Sequence, residues 1–230
     1  MFPLKDDLPV RRTPVVTWVL VAVNVLAFLW QVGVVGLPYS VQAGGAIPYE
    51  ILSFRDVQVP DLVPPPLTIF TSMFLHGGWA HIAFNMLFLW IFGNNVEDAL
   101  GHFRYFFFYL AAGVVAAVAQ TFASAGAGDP LTPMVGASGA IAGVLAAYMV
   151  LFPQARVLTL VLIVFIIRLF YIPARVFIGL WFALQLLMAL GGVAGGGGVA
   201  FFAHIGGFVA GWAMVKMMGP HRGYRRPAGW

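Results

Sequence analysis

The chain contains no cysteine, which removes thiolate nucleophiles, disulfides and thiolate metal sites from consideration. It is almost as poor in charge: Asp, Glu, Lys and Arg make up 9% of its 230 residues, against the roughly 25% usual in a soluble domain. A water-soluble chain of this length needs about that share to cover its surface, whereas lipid tolerates an apolar exterior. With 61% apolar residues, the chain reads as a membrane protein. Carboxylates are missing from its apolar runs as well. All eight Asp and Glu fall outside those runs or at their edges, which excludes an aspartyl mechanism, since that needs two carboxylates sharing a site. His76 and His81 could form a metal pair, but no Glu stands between them as in the H-E-x-x-H zinc proteases. No metal and no cofactor is expected.

What is present is a succession of apolar runs, read as an all-α polytopic bundle of six spans at roughly 20 residues each. The first extends from Val15 to about Val35, interrupted only by Asn24, Gln31 and Gly33. It is longer than the roughly 7–15 residues of a signal-peptide core and is read as a retained anchor. A long first loop, about 36–75, carries Glu50, Arg55, Asp56, Asp61 and Pro64-Pro65-Pro66. The second span is Trp79 to Gly93, closed by a polar connection of Asn94, Asn95, Glu97, Asp98 and Gly101. The third is about Phe106 to Ala123; the turn-rich segment Ser124 to Pro133 leads to a Gly- and Ala-rich fourth, Val135 to Phe152. Val157 to Ile167 is apolar, but as a helix it would rise only about 16 Å, half the hydrocarbon thickness. It is read as interfacial or re-entrant. A fifth span (about Val176 to Leu190), a Gly-rich loop (Gly191 to Gly198) and a sixth span (about Val199 to Met218) complete a domain over 15–218. Residues 1–14 and 219–230 are read as short tails, the second basic, with no soluble accessory domain.

Charge placement tests this count, because Lys and Arg gather on cytoplasmic loops. With the amino terminus inside, the inner side receives Lys5, Arg11, Arg12, Arg104, Arg156, Arg168, Arg175, Lys216, Arg222, Arg225 and Arg226, and the outer side keeps only Arg55. The bias would be lost if Val157 to Ile167 crossed. A basic inner face meeting anionic lipid headgroups accounts for the net charge of +4, and no nucleic-acid partner is implied. Both termini are therefore expected in the cytoplasm, and the short tails and lack of a transit segment suggest a prokaryotic plasma membrane.

The informative residues are polar groups at membrane depth, which are functional candidates by default when ionisable. His81 and Asn85, four apart, share a face of the second span. Ser138 opens the fourth span in GASGAIAG, and His204 lies near the start of the sixth in AHIGG. With even-numbered spans starting outside, all four lie within about two turns of one membrane face. Gly139 and Gly143 on the fourth span, and Gly207 and Gly211 on the sixth, are small pairs at the spacing that lets helix backbones approach closely. Such packing would bring hydroxyl and imidazole together, as a serine nucleophile requires of its base. A serine between glycines is ordinarily packing, so the signal lies in the combination.

HGGWAHIAFN, GASGAIAG and AHIGGFVAGW, in this order on alternate spans, resemble the motifs of the rhomboid family of intramembrane serine proteases, over nearly the whole chain. The resemblance implies Ser138 as nucleophile and His204 as general base, a dyad without the orienting carboxylate of the triad. It further implies an oxyanion hole of His81, Asn85 and the backbone N–H groups around Ala137 and Ser138, with Gly136 keeping that turn open. His76 would organise the first loop by hydrogen bonds. The fifth span and the loop after it would move to admit substrate. Two departures stand out: the aromatic that in some members stacks on the catalytic imidazole is replaced by Ala142, and Phe54-Arg55 does not match a Trp-Arg pair of the first loop.

The expectation is a serine endopeptidase that cuts single-span membrane proteins near the outer face, at helices weakened by small or helix-breaking residues. The alternative is a catalytically silent relative that binds transmembrane clients. A small transporter would need intramembrane charges or duplicated halves, and neither is evident.

Overall fold

The computed structural model of the chain describes residues 1–127, 129–163, 166–191, 199–221 and 223–224. The first apolar run forms α1 (Val15–Trp30), prolonged by a wide π-type turn through Gln31–Val35. It stops at Gly36, whose φ of 91° lies in the left-handed region that glycine enters without steric cost. No side chain of α1 caps its amino end. Glu97 does so from elsewhere, accepting the Val16 N–H at 2.8 Å and the Thr17 N–H at 2.7 Å, a carboxylate at the positive end of a helix.

The long first loop is not irregular throughout. It contains α2 (Leu37–Gly44), α3 (Pro48–Ser53) and α4 (Thr68–Ser72), the first two with a proline in the opening positions where its missing N–H costs nothing. α5 (Trp79–Phe88) continues through a second π-type turn, Leu89–Gly93, into α6 (Asn94–Leu100). The polar connection expected at Asn94 to Asp98 is thus helical up to Leu100, because other elements satisfy its side chains. Glu97 serves α1, Asp98 accepts the Arg11 N–H at 3.2 Å, and Asn95 donates to the Asp6 carboxylate at 2.6 Å.

Among the described residues four further helices follow: α7 (His102–Ala127), α8 (Ser138–Leu151), α9 (Ala174–Leu190) and α10 (Phe201–Met218). The stretches Val15–Val35, His102–Gly126 and Phe201–Met218 are long and apolar enough to cross a membrane, and α8 and α9 are shorter apolar helices. The bent stretch 79–100 stands where the second span was expected. The Gly-rich loop expected as a lid lies outside the described residues from 192 to 198, as do Arg222, Arg225 and Arg226 of the basic tail.

The segment after α8 corrects the sequence reading. Residues 157–163 and 166–167 are strand and not an interfacial or re-entrant helix; they belong to an antiparallel pair, β2 (Arg156–Ile163) and β3 (Ile166–Pro173). A third strand, β1 (Phe2–Asp6), pairs antiparallel with β2. Among the described residues the molecule is mostly helical with one small sheet, not all-α, and residues 2–6 of the expected tail are structured. The composition explains it: Val, Ile, Thr, Phe and Tyr dominate both strands, and such side chains suit a pleated surface better than a helix. Val157 and Thr159 face the core while Leu162 points outward. The Phe2 ring stacks on Phe84 of α5, centroids 5.6 Å apart, so β1 runs along the flank of the 79–100 helix.

At the centre, α10 packs against both α8 and α7. The contacts are made by residues too small to hold the backbones apart. A Cβ added at Gly207 would stand 2.0 Å from the Gly139 carbonyl oxygen, and one at Gly211 would stand 2.4 Å from the Gly143 Cα. Ala116 and Ala112 of α7 close on Gly139 and Gly143 in the same way. Small pairs at four-residue spacing are what allow this approach, and it sets the relation between the two helix starts at the site.

Candidate active site

Because α8 and α10 meet so closely, their amino-terminal turns lie side by side. Ser138 is the first residue of α8 and His204 lies in the first turn of α10. The Ser138 Oγ is 2.8 Å from His204 Nε2, and His204 is buried. The start of α10 is held by Gln120 of α7, whose Oε1 accepts the Ala203 N–H at 3.2 Å.

The turn before α8 is shaped around His81. Gly136 has a φ of 123°, and a Cβ there would stand 2.7 Å from His81 Nε2, so only glycine fits both the backbone and the space. The Gly136 N–H donates to the Ser72 carbonyl at 2.8 Å, anchoring the turn to α4. The Gly77 N–H donates to His81 Nδ1 at 3.3 Å. With Nδ1 accepting, the proton of a neutral imidazole resides on Nε2, the nitrogen that faces the Gly136 turn. Asn85, buried one turn below, donates an amide hydrogen to the His81 carbonyl at 2.8 Å. Ala137 is fully buried at the N-cap of α8, where the first N–H groups of a helix have no intrahelical acceptor. Ser138, His81, Asn85 and His204 all line one cavity of about 830 Å³, whose apolar walls include Phe84, Phe88, Ile141, Leu145 and Trp181.

His76 is brought near this group as well. Its ring is fully buried and packs edge-on against His81, centroids 5.1 Å apart. The hydrogen bonds that fasten the loop here come from Gln31. Its Oε1 accepts the His76 N–H at 2.9 Å and its Nε2 donates to the His76 carbonyl at 3.2 Å.

Gln185 is the residue that sequence reading missed. It sits on α9, buried, with Oε1 2.7 Å from His204 Nδ1 and Nε2 donating to the Trp181 carbonyl at 3.3 Å. The Trp181 ring lies 5.6 Å from the imidazole, tilted by 42°. Ala142, the position that raised the question of what orients His204, is fully buried in the helix core. A signal was there: Gln185 is a lone amide within the apolar run Val176 to Leu190, and polar groups at membrane depth rarely lack a partner.

Comparison with known proteins places the chain in a family. The Rhomboid domain family model matches residues 66–221. The mitochondrial Rhomboid protein 1 of Saccharomyces cerevisiae is 28% identical over 220 residues, 92% of this chain and 56% of that protein. Rhomboid protease GluP of Bacillus subtilis is 43% identical over 79 residues, 34% of this chain and 14% of that protein. The mitochondrial presenilin-associated rhomboid-like protein of Homo sapiens is 32% identical over 126 residues, 49% of this chain and 33% of that protein. The chain thus spans little more than half the length of the yeast protein and matches smaller shares of the other two. A family match that takes in both helix starts, the 79–100 helix and α9 identifies this chain as a membrane protein belonging to the rhomboid family.

Proposed function

We propose that the chain is an intramembrane serine endopeptidase acting through a Ser138–His204 dyad. The observation that carries the reading is the 2.8 Å approach of Ser138 Oγ to His204 Nε2 in a cavity that also exposes His81 and Asn85. His204 Nε2 takes the hydroxyl proton as Ser138 Oγ attacks the scissile carbonyl, and the negative charge moves to the former carbonyl oxygen. His81 Nε2–H, the Asn85 amide and the N–H groups of Ala137 and Ser138 are the donors proposed for that oxyanion. In a soluble serine protease one such donor is worth roughly 3–4 kcal/mol in the transition state. His204 then passes its proton to the departing amine, and water, activated by the same nitrogen, releases the acyl group from Ser138.

The reading includes a six-crossing domain over 15–218, with residues on both sides of it in the cytoplasm of a prokaryotic plasma membrane. The bias of Lys and Arg toward one side supports the orientation. The substrates are single-span membrane proteins. An extended carbonyl must reach Ser138, so helices weakened near the cleavage point are preferred. The similarity to Rhomboid protease GluP of Bacillus subtilis supports peptidase chemistry over silent client binding.

The test is cleavage of a fluorescently labelled transmembrane substrate by purified protein in detergent. Ser138→Ala and His204→Ala should each lower turnover by about 10³-fold or more, and a fluorophosphonate adduct should map to Ser138. A wild-type protein that neither cleaves nor labels would leave the client-binding alternative standing. Undiminished cleavage by either variant would remove the dyad.

A further inference from the structure

The geometry assigns to Gln185 the positioning of the base: its side-chain oxygen selects the tautomer and fixes the ring plane of His204, the work that a carboxylate performs in the triad. The inference rests on the dyad reading and goes beyond it.

An amide can present either oxygen or nitrogen to an imidazole, and the choice decides which ring nitrogen is basic. Here the choice is made by the backbone. Gln185 Nε2 donates to the Trp181 carbonyl at 3.3 Å, one helical turn earlier on α9, where only a donor is acceptable. Oε1 is thereby turned toward His204 Nδ1 at 2.7 Å. A carbonyl oxygen can only accept, so Nδ1 carries the proton and Nε2 is left with its lone pair toward Ser138 Oγ at 2.8 Å. Bonds at both ring nitrogens, with the Trp181 ring tilted beside the imidazole, restrain its rotation about the bond to Cβ. Ala142 provides no polar or aromatic contact of that kind. As Ser138 loses its proton, His204 becomes an imidazolium, and the Gln185 oxygen then accepts from a charged donor, which is a stronger bond.

A neutral amide differs from the triad carboxylate in one respect. It orients the ring without adding a negative charge, so the base stays less basic than it would beside Asp or Glu. His204 also faces His81 across the cavity, the other titratable side chain that meets it among the described residues. The arrangement has a further consequence: Gln185 and Trp181 both belong to α9, so His204 is held in register only while α9 is seated against α10.

Two variants test the assignment by kinetics against the wild-type protein in detergent. Gln185→Met keeps the length and volume of the side chain and removes the acceptor. kcat and the rate of fluorophosphonate labelling should both fall about 10- to 100-fold, less than the roughly 10⁴ lost with a triad carboxylate, while KM stays within about 2-fold. Gln185→Glu keeps an acceptor and adds charge. It should retain substantial turnover, with the acid limb of its pH–rate profile moved upward by about 1 pH unit or more. The assignment is overturned if the Met variant keeps kcat, if its loss lies wholly in KM, or if the Glu variant has the wild-type pH profile. Should the Met variant fold poorly, the pH profile of the Glu variant decides. Absence of labelling in the wild type would sink the dyad itself, whereas normal labelling in wild type and the Met variant alike would sink only this inference.

Discussion

At the scale of single residues, the site was legible wherever a side chain carries chemistry that an apolar run has no use for. Ser138, His204, His81 and Asn85 stood out in the sequence because hydroxyl, imidazole and amide groups are costly in lipid unless they serve a purpose. Gln185 was equally visible as a lone amide, but its meaning depended on which ring nitrogen it would face, and only the path of α9 fixes that. Gln31 was legible as an interruption and not as a clamp, since the peptide it holds lies 45 residues away. Gly136 is the position where one methyl group decides most. Its φ of 123° and the 2.7 Å from an added Cβ to His81 Nε2 make Gly136→Ala both strained and displacing. The strain should cost about 1–3 kcal/mol of stability, read as a lowered melting temperature. The displaced His81 donor should cost a further 10²- to 10³-fold in kcat. A variant that melts lower but cleaves at the wild-type rate would show that His81 takes no part in the chemistry.

At the scale of elements, helices were easier to read than strands, for a physical reason. Length is the strongest sign of a membrane span, and Val157 to Ile167 was measured with the helical rise of about 1.5 Å per residue. At about 3.3 Å per residue, the eight residues of β2 reach roughly 26 Å, comparable to a span. Its β-branched composition was the sign that should have chosen between the two. The small-residue pairs of α8 and α10 were legible as contact faces, and the structure shows how little room they leave. At Gly207 the obstacle is the Gly139 carbonyl, 2.0 Å from an added Cβ, and backbone inside a packed helix cannot move aside as a side chain can. Gly207→Ala should therefore destabilise by about 2 kcal/mol or more and disturb the Ser138–His204 distance, lowering labelling and melting temperature together. Gly179 on α9 supplies the control, since nothing lies within 4 Å of an added Cβ. There alanine should be neutral or stabilising by about 0.5–1 kcal/mol. Equal destabilisation at both positions would mean that the close approach of α8 and α10 is not what the glycines are for.

At the scale of the molecule, the end of the bundle where β1, α6 and the end of α8 meet is tied together by polar groups contributed from distant parts of the chain, a pattern that no local reading of the sequence could reveal. Glu97, buried on α6, caps α1 and meets His102 of α7 at 2.5 Å. Asp6, at the end of β1, accepts from Asn95 at 2.6 Å and from the Tyr148 hydroxyl at 2.7 Å. It thereby fixes the small sheet to α6 and α8. Burial raises the Asp6 pKa to about 6; the Tyr148 hydrogen bond offsets part of this and the charge of Asp7 adds to it. The folded protein thus holds the proton up to a higher pH than the unfolded chain, whose carboxyl titrates near the ordinary value of 3.8. The contribution of Asp6 to stability is complete below that value and is lost as pH rises through about 6. Asp6→Asn keeps an oxygen to accept both hydrogen bonds and removes the ionisation. The variant and the wild type should melt at similar temperatures near about pH 4. The variant should pull ahead as pH rises to about 6, with the gap constant above about pH 7. Scanning fluorimetry in detergent across that range measures the difference directly, and because every other titrating group is common to both proteins, a gap that does not change with pH would mean that Asp6 is solvated and that the sheet is not seated through it.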